Sequence, residues 1–178
     1  NTPVPTYTPL PPTPTPTRKP RQVTSAAAPA PTATPVANPE LPRELDPRLP
    51  SLNVVVQPAG VRPGQSYWRL VEARWQNEEE AHGDHTIYVQ VLDEGGSRIL
   101  NAPIEIRWTG ASITLFTEEK PATEYPSNFP MYNTLGSYAV SLPGLPSDAI
   151  VGLGLGTAEQ PAFTIHTNFF LTFRRTTR

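Results

Sequence analysis

Residues 163–173 read FTIHTNFFLTF. Phe163, Ile165, Thr167, Phe169, Leu171 and Phe173 share one parity, while Thr164, His166, Asn168, Phe170 and Thr172 share the other. An extended chain sends alternate side chains to opposite faces, so this spacing predicts a long strand with one buried face. The same period recurs upstream. Ile87, Val89 and Val91 alternate with Tyr88, Gln90 and Leu92; Ile104, Ile106 and Trp108 alternate with Glu105 and Arg107; Tyr138, Val140 and Leu142 alternate with Ala139 and Ser141. Further strands are predicted at 52–56, 67–75, 112–117 and 149–155, about eight in all. Between them stand Arg62-Pro63-Gly64, Asp93-Glu94-Gly95-Gly96, Pro143-Gly144 and Pro146-Ser147-Asp148, where Gly, Pro and Asp suit chain reversal. No helical period intervenes, and residues 78–82 read as a loop. The expectation is an all-β, Ig-like antiparallel β-sandwich.

Working outward, this pattern stops near residue 50. Residues 1–50 hold 15 of the 24 prolines and one aromatic, Tyr7; residues 51–178 hold the other 14 aromatics. A Pro/Thr tract of that composition buries too little apolar surface to offset its ordering entropy. The predicted organisation is an extended arm or linker at 1–50 and a β-sandwich domain at 51–178. The arm begins NTPVPTYTPLPPTPTPT, which favours polyproline II, and some fifty such residues reach about 150 Å. With three residues per turn, Val4, Tyr7 and Leu10 fall on one face and form a candidate contact stripe, although the same spacing also arises in a linker without a role. Arg18, Lys19 and Arg21 add a short basic cluster, read as a solvated one. Nine threonines lie in the tract, a composition also found in O-glycosylated stalks; no Asn-x-Ser/Thr acceptor is present.

Charge and residue usage exclude several classes. The arm carries five Lys/Arg against three Asp/Glu and the domain nine against 13, so neither has the basic stripe that nucleic acid requires. With no cysteine there is neither a disulfide framework nor a thiol nucleophile. No run of about 18 apolar residues is present to span a bilayer, and no initiator Met or signal-type core opens the sequence. The first residue is therefore expected to follow a removed leader or an artificial boundary.

Three clusters invite a chemical reading. His82, Asp84 and His85, with His166 approaching from the last strand, make a nominal imidazole and carboxylate set. Their spacing matches no defensible ligand pattern, and the expectation is strand-end histidines with no metal, cofactor or catalytic role. Gly152-Leu-Gly154-Leu-Gly156 lacks the helix that a dinucleotide loop needs. It reads as a strand with one bare face, open to a ring, another backbone or a partner. In the segment 125–133, Tyr125, Asn128, Phe129, Tyr132 and Asn133 combine rings with amides in what reads as a long loop. That is the chemistry of a polysaccharide-binding or partner-binding surface, and equally of a loop pinned to the core by its rings.

The run from Tyr88 through Asp93, Gly95, Gly96, Asn101 and Ala102 to Ile106, followed by Gly136-Ser137-Tyr138-Ala139-Val140, resembles the transthyretin-like modules of bacterial surface proteins, including collagen-adhesin B-type and carboxypeptidase-regulatory-like domains. It rests on an Asp-x-x-Gly turn, an Ala-containing return strand and a Gly-x-Tyr-x-Val strand, over about 55 residues. The resemblance implies an extracellular or cell-surface stalk, spacer or adhesin without catalysis. It stops short of the internal Lys–Asn crosslink of many such modules: the only lysine of the domain is Lys120, in a loop. The functional expectation is a secreted, non-enzymatic structural and adhesive module. It would self-associate as a filament or pilus-like subunit through the arm, or alternatively bind carbohydrate through its loop aromatics.

Overall fold

The computed structural model describes residues 42–178; the stripe Val4, Tyr7 and Leu10 lies outside them. Among the described residues, ten strands form two sheets of five. In chain order they are β1 (Glu44–Leu45), β2 (Val55–Gln57), β3 (Ser66–Gln76), β4 (Thr86–Leu92), β5 (Pro103–Trp108), β6 (Ala111–Phe116), β7 (Ser127–Pro130), β8 (Tyr138–Ser141), β9 (Ala149–Leu153) and β10 (Asn168–Thr177). Sheet A runs β1-β3-β10-β4-β7 and sheet B runs β2-β9-β8-β5-β6. Leu70, Ile87, Val89, Phe169, Leu171 and Phe173 of sheet A and Ile104, Ile106, Val140 and Ile150 of sheet B belong to one fully enclosed apolar cluster. The expected all-β sandwich is therefore the fold.

Several expectations need correction. Sheet A is mixed rather than antiparallel: β10 pairs antiparallel with β3 but parallel with β4, and β1 lies parallel to β3. The last strand begins at Asn168, and Phe163 stands exposed in the segment before it. The segment 125–133 is not one loop, because Ser127–Pro130 forms the edge strand β7 against β4, a place where proline is tolerated. Residues 78–81 form one helical turn, α1 (Glu78–Ala81), which Asn77 and Glu80 close with a reciprocal capping box. In β3 the period of two breaks at a bulge: Phe173 faces Leu70 and Thr172 faces Glu72, leaving Val71 as the extra residue. Leu70 and Ala73 consequently both point inward.

The boundary at residue 50 also moves. Residues 43–52 belong to the sandwich: β1 pairs with β3, and a 3-10 turn, Leu49–Leu52, inserts Leu49 and Leu52 into the core. Asp46 fixes this segment. Its carboxylate accepts hydrogen bonds from Arg48 Nε (3.0 Å), Arg48 Nη2 (2.9 Å), the Arg48 amide (3.0 Å) and the Trp75 amide (3.2 Å). Arg48 in turn donates to Glu80 Oε2 and Trp75 O and lies over the Trp75 ring. The side-chain hydrogen bonds from Arg48, partly opposed by burial and reinforced by the two amides, hold the Asp46 carboxyl down at about 2. A depressed carboxylate contributes stability above its unfolded value near 3.8, and this is lost as pH falls toward the folded value. The contribution is about 1–2 kcal/mol, discounted because the Arg48 side chain is 40 % exposed. Urea unfolding of wild type and Asp46→Asn should therefore differ at neutral pH and converge near pH 2. A constant difference across that range would remove Asp46 as the source.

Candidate functional site

Outward-facing residues of four neighbouring strands line up across sheet A. Register places Arg74 of β3 beside Phe170 of β10, Phe170 beside Tyr88 of β4, and Tyr88 beside Asn128 of β7. The alternation that buries Ile87, Val89, Phe169 and Leu171 is what puts Tyr88 and Phe170 on the opposite face. Tyr88 and Phe170 stack with ring centroids 4.9 Å apart and planes 10° from parallel. The Arg74 guanidinium sits 4.9 Å from the Phe170 centroid, and Tyr125 meets Phe170 edge-on at 5.3 Å. Arg98 holds the loop that delivers Tyr125, donating to the carbonyls of Lys120, Pro121, Ala122 and Glu124. Tyr88, Tyr125, Phe170 and Asn128, with Lys120 and Glu124, line a depression of about 360 Å³.

Electrostatics fix the cluster rather than activate it. The Tyr88 hydroxyl donates to Asp84 Oδ2, and Asp84 Oδ1 accepts from Thr86 Oγ1 and the His85 amide, both at 2.9 Å. Burial disfavours ionisation of Asp84, but these donors outweigh it and its carboxyl lies below the usual range. Burial, seconded by the bond to Asp84, pushes the Tyr88 phenol up to about 12. Phe170 is flanked by Tyr88 and by the Arg74 guanidinium, so the rings are spent on one another as a cross-strand ladder.

The five residues singled out in 125–133 do not share one surface. Tyr125 and Asn128 belong to this ladder. Phe129 turns inward, with ring centroids 5.8 Å from Trp108 and 5.6 Å from Tyr138. Asn133 Nδ2 and the amides of Tyr132 and Asn133 converge on the buried Tyr138 hydroxyl at 2.9–3.2 Å. The Tyr132 ring is 70 % exposed and lies against His85, with ring centroids 5.7 Å apart and planes 62° from parallel. What sequence reading missed were Tyr88 and Phe170. The signal for them was present: large rings at the polar parity of two strands.

The imidazoles meet only in part. His85 and His166 lie with ring centroids 4.9 Å apart, and His166 Nδ1 is bonded to Gly83 O. The carboxylate of Asp84 is occupied by Tyr88 and Thr86, and His82 caps α1 in a left-handed conformation. Among the described residues, no three His, Cys, Asp or Glu side chains gather around one point. The bare face of the glycine run is filled by the chain itself. A Cβ would fall 2.5 Å from Asn53 O at Gly152, 2.0 Å from Thr134 O at Gly154 and 2.5 Å from the Ala162 amide at Gly156. Another backbone does approach there, and it leaves no room for a partner.

Comparison of the chain with protein-family models, with curated proteins and with solved structures gave no match.

Proposed function

We propose that this chain is a secreted, non-enzymatic structural and adhesive module of a cell surface. Its sandwich is carried on a Pro/Thr arm that contacts neighbouring copies in an extracellular assembly. The observation that carries this reading is the way the segment following the arm is fastened. Arg43 and Asp46 tie residues 43–46 to β3, while Leu49 and Leu52 plug the core. A module that transmits load from a tether needs its attachment point welded to its centre, and a freely jointed linker has no use for one. The use of the buried Asp148 carboxylate and of the half-buried Asp84 as structural acceptors supports the same view. So does the resemblance to transthyretin-like surface modules.

Deletion of residues 1–21 is the direct test. Electron microscopy of the purified protein is expected to show polymers that disappear on deletion, while the sandwich still unfolds as one cooperative unit. Unchanged polymers in the truncated protein would rule the arm out as the contact.

A further inference from the structure

Three of the four sheet edges are blunted, each by a device that discourages a further strand. β1 has two residues and carries Glu44, β2 has three and runs into Pro58, and β7 has four and ends on Pro130. β6 has none of these. Among the described residues it is the outer strand of sheet B and pairs only with β5, and it reads Ala-Ser-Ile-Thr-Leu-Phe with no charge, no proline and no break in register. Every residue of it is exposed except Leu115, which is half-buried. The apolar exposure has a definite shape. Ile113 and Leu115 pair with the core residues Ile106 and Ile104 and so belong to the inner face, yet Ile113 is 39 % exposed. Phe116, on the outer face, is 55 % exposed.

Hydrogen bonding fixes which groups of β6 point away from β5. The Thr117 carbonyl accepts from Asn101 N and the Thr117 amide donates to Ala102 O, so residue 117 is bonded back toward β5. Alternation along an antiparallel strand then turns the N–H and C=O groups of Ser112, Thr114 and Phe116 outward, away from β5. Pro103, which has no N–H to offer, stands opposite Phe116 in agreement with this phase.

We propose that β6 is a self-association edge, pairing antiparallel with β6 of a second copy about a two-fold axis at Thr114. In that register Thr114 of one copy faces Thr114 of the other, and Ser112 faces Phe116. Each of these pairs exchanges two hydrogen bonds, so every outward group is used. The inner-face residues then fall into the intervening, closer pairs, where Ile113 of each copy lies against Leu115 of the other and the exposed methyls are covered. Nothing in the charge pattern opposes it: the nearest outer-face acid, Glu105 opposite Thr114, would face its copy across three strand spacings, roughly 14 Å, beyond a Debye length at physiological salt. A two-fold contact of this kind closes on itself. Growth into a longer polymer therefore needs a different contact, which is the place of the arm. This pairing deepens the reading of the chain as an assembly subunit and rests on it.

Sedimentation velocity of the full chain over a dilution series tests the proposal. The smallest species is expected to be a dimer. Thr114→Lys and Thr114→Glu, both on the exposed outer face, should each lose the dimer because like charges would stand directly opposite, while each variant still unfolds as one cooperative unit. Mixing the two variants should restore it, since unlike charges then meet. A monomeric wild type, charged variants as dimeric as wild type, or a mixture that stays monomeric would each overturn the pairing. Deletion of residues 1–21 is expected to remove longer polymers and leave this dimer. Loss of the arm contact and loss of the β6 contact are thus read separately, and a dimer that vanishes on deletion alone would also overturn the proposal.

Discussion

Replacing Asp148 by alanine is expected to cost about 3–5 kcal/mol of folding stability, enough to leave a domain of ordinary stability largely unfolded. Asp148 is fully enclosed at the entrance to β9, and its carboxylate joins three separate segments. Oδ2 accepts from Arg43 Nη2 at 2.7 Å and from the Leu70 amide at 3.0 Å, and Oδ1 accepts from the Ala59 amide at 2.8 Å. Removing it strands a cation and two amides, and a buried donor left without an acceptor carries its full desolvation penalty. Asp148→Asn preserves the shape and one oxygen, so it should lose roughly half as much. Arg43→Ala leaves the carboxylate with two amides and should fall between the two. Chemical unfolding monitored through the three tryptophans gives the values. A loss below about 1 kcal/mol for Asp148→Ala would mean that the three segments are held together by something else.

Gly154→Ala is expected to be comparably damaging, at roughly 3 kcal/mol or more from overpacking and backbone strain combined. The added methyl would meet the Thr134 carbonyl oxygen at 2.0 Å, its carbon at 2.3 Å and the Leu135 amide at 2.6 Å. These are backbone atoms and cannot rotate aside. They belong to the short parallel bridge in which Leu155 N donates to Asn133 O and Leu135 N donates to Leu155 O, so relief would require opening that bridge. Gly64→Ala is the control. It too has a positive φ, +79°, but nothing lies within 4 Å of the new Cβ, and about 1 kcal/mol is expected. Equal thermal shifts for the two variants would contradict the close approach at Gly154.

Strands with strict alternation were legible because burial on one face writes itself into the sequence at every second position. Residues 87–92, 104–108 and 138–142 lie within one residue of strands found in the fold. What escaped had other causes. β1 is two residues long and is held by the ion pairs of Arg43 and Asp46 rather than by an apolar period. β7 is bracketed by Pro126 and Pro130, which signal a loop locally and an edge strand only once its neighbour is known. The parallel pairing of β10 with β4 is set by long-range topology, to which local patterning is blind. For the candidate surface, the loop aromatics were chosen for their company in sequence. Their destinations depended on strand parity, which sends Phe129 inward and leaves Asn128 beside Tyr88. The glycine run was the clearer lesson: its spacing announced a bare strand face, and only the fold could say that the chain's own backbone fills it.

The position of β10 has a consequence for how the molecule comes into being. β3 and β4 follow one another in sequence, yet neither touches the other in the sheet, because the tenth strand lies between them. Until Asn168–Thr177 has emerged, half of the sandwich has a gap where its keystone belongs, and its two flanks have no reason to come together. A chain wired in this way leaves that sheet incomplete until its last strand is available. It then sets in one late, concerted step, slowed by the long sequence separations that must close at once.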